Sequence, residues 1–155
     1  MRVNIYENKH AKVFNNTMEL PKVFNIIKTN KPTIPKSERL GVVYASRSSK
    51  GRKHENIESY TGMAFIDVDD CTHPKEVKNL FKEIDCTIAC WYSSSGNVHA
   101  LIKIPVCTTK DELKKAINTT CKRFKTRNRK LVVSLWNCHK PHAISLYVKR
   151  CRYLY

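Results

Sequence analysis

A chain of 155 residues is long enough to bury one sizeable core, and a hydrophobic fraction of 41% argues against wholesale disorder. No stretch approaches the ~18 apolar residues of a membrane span, and Met1-Arg2-Val3-Asn4-Ile5-Tyr6 lacks the apolar core of a signal peptide, so no membrane partner is expected. Seven cysteines, odd in number and irregular in spacing, suit a reducing compartment better than a disulfide framework, so the expected location is cytoplasmic. The net charge of +16 invites a nucleic-acid reading, but it is unevenly spread. Residues 1–112 hold 17 Lys/Arg against 13 Asp/Glu; residues 113–155 hold 12 Lys/Arg and no acid. The basic excess belongs to the C-terminal quarter.

In chain order, Arg2–Tyr6 and Lys12–Phe14 read as short strands around a polar turn. Leu20, Phe24 and Ile27 recur at helical spacing, which predicts a helix over Met18–Lys28. Two prolines, Pro32 and Pro35, make Thr29–Ser37 a loop. Leu40–Ala45 is a predicted strand, Ser46–Ser59 a polar and mobile stretch, and Met63–Val68 a strong strand. Thr72-His73-Pro74 opens a helix with Val77, Leu80, Phe81 and Ile84 on one face. Thr87–Tyr92 and Val98–Ile104 form a predicted antiparallel pair across a serine-glycine turn, followed by a helix from Thr109 to about Phe124. Leu131–Trp136 and Ile144–Val148 read as two final strands. The pattern predicts an α+β domain, a mixed or antiparallel sheet with packed helices.

Candidate chemistry gathers at two strings. Asp67 and Asp69 close the apolar strand Ala64-Phe65-Ile66, and positions two apart on a strand share a face. Two like charges held side by side are costly unless a cation neutralises them, and carboxylates suit Mg²⁺ or Mn²⁺. A solvated strand end, with Asp70 helping to start the next helix, accounts for the same residues without a metal. In the second string, Ser93-Ser94-Ser95-Gly96-Asn97-Val98-His99, backbone N–H groups of the turn can form an anion-binding concavity beside His99. An ordinary hairpin with an incidental histidine is the plainer account. Arg47, Lys50 and Arg52 lie in a basic, serine-rich run that can grip a triphosphate or a template backbone, or simply be a solvated loop. Cys121, Cys138, His139 and His142 lack a C-x₂-C pair, so structural zinc is not expected, and Cys86 and Cys90 read as small core residues.

The run Ser59-Tyr60-Thr61-Gly62-Met63-Ala64-Phe65-Ile66-Asp67-Val68-Asp69, followed after a helix and strand by Tyr92 to His99, resembles the catalytic domain of the archaeo-eukaryotic primase superfamily. Within that superfamily it is most similar to the VirE N-terminal-like branch of primase-polymerase domains from bacterial mobile elements and phages. Lys31-Pro32-Thr33-Ile34-Pro35, Val42-Val43-Tyr44, and Arg52 with Asn56-Ile57 match the approach to that branch's first motif, and the likeness covers roughly residues 25–105. The resemblance implies a sheet of the RNA-recognition-motif type and template-directed transfer from NTPs or dNTPs with two divalent metals. Asp67 and Asp69 match the acids that hold those metals, His99 matches the histidine that contacts the triphosphate, and Ser95 and Gly96 match the turn before it. DNA template and a helicase, on a separate chain or a lost C-terminal region, are the implied partners.

A third strand-borne acid belongs to the superfamily's pattern, yet no Asp or Glu follows Glu112. After the helix from Thr109 the branch usually carries an arginine-containing strand and then an S-x-D-x-D-x-Y-like segment, and the ending Leu146 to Tyr155 can be encoded by codons whose neighbouring frame reads such a segment. Residues 1–126 are therefore expected to be the catalytic domain, and 127–155 an atypical basic tail, truncated or read out of frame. The expected function is a primase/polymerase-like nucleotidyltransferase domain, intact or degenerate, in replication of a phage or mobile element. The alternative is a non-catalytic nucleic-acid-binding domain that keeps the fold; a metal-dependent nuclease is a third class.

Overall fold

The computed structural model describes residues 1–8, 10–29, 35, 38–51, 53–68, 73–127, 146–147 and 152–153. The chain divides into two compact units, Met1–Thr61 with Arg150–Tyr155, and Gly62–Lys149. Both are built of helices and small antiparallel sheets, an α+β protein as the residue pattern predicts.

In the first unit, β1 (Arg2–Tyr6) lies between β2 (Asn16–Glu19) and β3 (Gly41–Val43), all antiparallel, and α1 (Leu20–Thr29) follows β2 directly. Val3, Ile5, Tyr6, Leu20, Val23, Val42, Val43 and Tyr44 form its core. The strand expected at Lys12–Phe14 is displaced: the partner of β1 starts at Asn16, and Val13 makes only an isolated bridge to Gly51. The reason is local. Asn8 Oδ1 accepts the N–H of His10 at 2.8 Å and of Ala11 at 3.0 Å, which widens the turn beyond a tight hairpin.

The stretch expected to be irregular, Ser46–Ser59, is structured as well. It holds β4 (Ser46–Ser48), one 3₁₀ turn at His54–Asn56, and β5 (Ile57–Tyr60), paired antiparallel with a bulge between Arg47 and Ser48. Small polar residues take the inward positions here: Ser46 and Ser48 are buried and Arg47 points out. Gly51 is needed for close approach, because a Cβ there would clash with the Lys12 carbonyl oxygen. A short strand at Arg152–Tyr153 (β10 in chain order) pairs with β3.

The second unit holds β6 (Met63–Val68), α2 (Pro74–Lys82), β7 (Thr87–Tyr92), β8 (Val98–Lys103), α3 (Lys110–Arg127) and β9 (Leu146–Tyr147). Its sheet runs β7-β8-β6-β9 with every neighbouring pair antiparallel, so β6 and β7 are parallel with β8 inserted between them. That is a split β-α-β arrangement, with α2 as the crossover. Proline opens α2, where its missing N–H costs nothing, and Val77 and Phe81, one turn apart, are its buried residues. The helix lies on the face of β7 that carries Cys90 and Tyr92: Cys90 Sγ reaches the Lys78 carbonyl at 3.7 Å and Lys78 Nζ sits 4.2 Å from the Tyr92 ring centroid. Helix α3 begins with a reciprocal cap. Thr109 Oγ1 accepts the Glu112 N–H at 3.2 Å, while Glu112 Oε2 accepts the N–H groups of Thr108 at 2.8 Å and Thr109 at 3.3 Å. Leu113 and Ile117 are its buried positions.

The predicted strand Leu131–Trp136 lies outside the described residues, as does most of the tail whose reading frame is in question. Among the described residues no helix is long and apolar enough to cross a membrane.

Candidate functional site

Strand β6 is buried along its whole length, which is why its sequence is apolar at nearly every position rather than alternating. Asp67 is the exception. Register places it directly opposite His99 on β8, and His99 in turn opposite Trp91 on β7. Phe65, two residues before Asp67, shares its face. One row across three strands therefore brings together a carboxylate, an imidazole and an indole.

His99 Nε2 lies 3.0 Å from Asp67 Oδ1, with 7% of the histidine and 1% of the aspartate side chain exposed. The imidazole is packed among rings: Phe65 at 5.1 Å and 64°, and Trp91 at 5.8 Å and 87°, both edge-to-face. Phe65 and Trp91 also touch, with centroids 5.9 Å apart. Such contacts restrict ring rotation and aim Nε2 at the carboxylate. A buried carboxylate is costly unless a positive charge or a strong donor stands beside it. His99 is the neighbour here, an ion-pair partner when its imidazole is protonated. A carboxylate oxygen suits Mg²⁺ or Mn²⁺, whereas an imidazole nitrogen is a poor ligand for Mg²⁺. Among the described residues, no group of three or more His, Cys, Asp and Glu side chains gathers as a cation cage. Asp69 and Asp70 lie outside the described residues.

The serine-glycine turn is a three-residue hairpin loop. Ser93 N–H donates to the Asn97 carbonyl at 2.7 Å and Gly96 N–H to the Ser93 carbonyl at 3.0 Å, with Gly96 at φ +84°. Asn97 N–H donates to Ser93 Oγ at 3.0 Å, and the hydroxyls of Ser93 and Ser95 stand 2.8 Å apart. Three of the turn's amides are thus engaged inside the hairpin, while Ser94, Ser95 and Gly96 are exposed at its tip. The loop closes two residues short of the Trp91–His99 pair and so sets that pair's register.

Arg47 and Lys50 are exposed, on β4 and in the turn after it, in the first unit; Arg52 lies outside the described residues. Glu112 is committed to the α3 cap, and its hydrogen bonds from Thr108 and Thr109 hold its carboxyl below the usual glutamate range. Burial pushes the Cys86 and Cys107 thiols up, which keeps them protonated and poorly nucleophilic. Cys138, His139 and His142 lie outside the described residues, and nothing is described of the Cys121 side chain.

Sequence reasoning missed Trp91 and Phe65. Their signal was present, since Phe65 shares the Asp67 face and a symmetric hairpin pairs Trp91 with His99. Only the β6–β8 register, a pairing across some thirty residues of chain, joins the two rings around one imidazole.

No curated protein and no solved structure matches this chain. One family model does match, over residues 37–140, a span that includes β3 to β8 and crosses residue 127. With more than half of its length matched, and Asp67, Trp91 and His99 inside that span, the chain belongs to the family described as BT4734-like, N-terminal domain.

Proposed function

We propose that this chain is a metal-dependent nucleotidyl-transfer domain of the primase-polymerase type, of the VirE N-terminal-like branch, serving replication of a phage or mobile element. The observation that carries the reading is the cross-strand pairing of Asp67 with His99 at 3.0 Å. It joins the residues that match the superfamily's first and second motifs in one buried spot. The split β-α-β sheet around them is compatible with a core of the RNA-recognition-motif type.

In this reading Asp67 and Asp69 hold Mg²⁺ or Mn²⁺, which supplies Lewis acidity toward the primer 3′-hydroxyl and the departing pyrophosphate. His99 donates a hydrogen bond to the triphosphate of an incoming NTP or dNTP. Ser95 and Gly96 lie exposed at the hairpin tip and are the assigned phosphate contacts. Arg47, Lys50 and Arg52 contact the nucleotide or the DNA template, and a helicase on a separate chain is the expected companion.

Primer extension with Mn²⁺, comparing the chain with an Asp67→Ala/Asp69→Ala double variant, tests this. Extension by the chain and none by the variant is expected; equal extension by both refutes the site. A second reading, a nucleic-acid-binding domain without catalysis, is favoured by one observation. The last acid in the sequence, Glu112, is spent on a helix cap, so no later strand supplies a third carboxylate. No extension with retained DNA binding supports that second reading. Product without added NTP, released by hydrolysis, would point to a nuclease.

A further inference from the structure

Helix α3 buries one side and leaves the other in solvent. Leu113 and Ile117 are its core residues, and Lys115, two positions from each, stands about half a turn away from both. Lys115, Asn118, Thr119 and Lys122 follow one another along that outer side, and all four are exposed. The two lysines are seven residues apart, close to two full turns, so they share a line with a separation of roughly 10.5 Å along the axis. The acids of the helix stand in its first turn and both are engaged there: Glu112 caps the helix, and Asp111 Oδ1 lies 3.3 Å from Lys114 Nζ. A merely solvated helix mixes the two signs at i and i+4, yet from Lys114 to Arg127 this one has six basic residues and no acid. The helix dipole rewards cations in the last turn alone, and Lys115 stands about three turns before the end.

We propose that the outer side of α3 is a contact for the phosphate backbone of nucleic acid: Lys115 and Lys122 each meet one phosphate, and Asn118 and Thr119 donate hydrogen bonds to the oxygens between them. Charge, spacing and chemistry all fit. Phosphates of one strand recur about every 3.4 Å along a duplex axis, so roughly 10.5 Å spans about three steps. Amide and hydroxyl donors add contacts that do not depend on base sequence. An anionic membrane, the other extended polyanion, fits less well. A helix that binds one inserts its apolar side, and Leu113 and Ile117 are held in the core. The contact rests on the nucleic-acid part of the proposed function and needs no metal. It adds to Arg47 and Lys50, which belong to the first unit, a surface that belongs to the second.

The test is binding of a short fluorescent DNA duplex, read by anisotropy across a salt series with a chelator present. The chain is compared with Lys115→Gln/Lys122→Gln and with Lys22→Gln/Lys28→Gln, which removes the same charge from exposed positions of α1. In the α3 pair the slope of log K against log salt should become shallower by about 0.9 for each lysine, equally on unrelated sequences. The α1 pair should keep the original slope, and Lys115→Arg/Lys122→Arg, which preserves the charge, should keep it too. An unchanged slope in the α3 glutamine pair overturns the contact while the nucleic-acid reading stands. An equal loss from both glutamine pairs also overturns it, since net charge alone then accounts for binding. No binding of duplex or single strand by the chain at low salt overturns both the contact and the nucleic-acid reading. Loss of phosphatidylserine-vesicle binding in the α3 pair, with its DNA binding intact, makes the surface a membrane contact instead.

Discussion

Asn4 on β1 and Asp67 on β6 are both polar side chains buried in the middle of a sheet, each on a strand with a partner on either side. Asn4 Nδ2 donates to the Ser48 carbonyl at 3.1 Å, a neutral amide meeting the backbone of the neighbouring strand β4. Asp67 instead meets a titratable side chain, His99, inside a cluster of aromatic rings. The first arrangement closes a packing problem with a group every chain possesses. The second places a charge where an apolar residue of similar volume would stabilise the fold at least as well. Stability explains Asn4; it does not explain Asp67.

That contrast can be broken by experiment. Asp67→Asn should abolish Mn²⁺ binding yet change stability little, because a near-isosteric amide removes a buried carboxyl without opening a cavity. Asn4→Ala should do the reverse, costing about 1–3 kcal/mol in urea unfolding by removing a buried donor and leaving Mn²⁺ affinity unchanged. If Asp67→Asn proves the more destabilising of the two, Asp67 is a structural residue and the comparison fails.

A smaller effect is expected at the hairpin tip. Gly96 has φ +84° and open space around it, so Gly96→Ala should cost roughly 1 kcal/mol through the backbone alone, with Gly96→Asn recovering part of it. An alanine variant as stable as the original chain would show that the turn can rearrange. At the start of α3, Thr109→Ala should cost about 1 kcal/mol as a lost cap. The Glu112 half of that cap is pH-dependent. Its folded carboxyl is held below the ordinary value of 4.5, so its contribution is complete above that value and fades as acid protonates the folded form. Glu112→Gln should flatten this part of the acid unfolding curve; an unchanged curve would remove Glu112 from the cap's electrostatics.

Local signals suffice where one physical cause acts alone. Met63–Val68 and Thr87–Tyr92 have the bounds that their apolar runs predict, and Pro74 opens α2. Such signals mislead where the cause is a neighbour. Val13 looked like a strand residue, but the Asn8 turn moves the pairing to Asn16–Glu19. Ser46–Ser59 looked too polar for regular structure, yet serines fill the inward positions of β4 beside Asn4. The site divides the same way. Asp67 and His99 stood out as residue types in telling positions, whereas Trp91 and Phe65 did not, because an aromatic residue on a strand is ordinary until its neighbours are known.

By itself the sequence determined the α+β class, the central strands, the hairpin that sets Trp91 opposite His99, and the excess of basic charge after residue 112. These follow from side-chain period, turn chemistry and composition, which act over a few residues. Only the tertiary structure decided that Asp67 lies opposite His99, with two rings packed on the imidazole. Strand register across a long connection has no local code. It is set by the burial of both faces of β6 and β8, where a slip of one residue would carry Asp67 to the opposite face of its sheet.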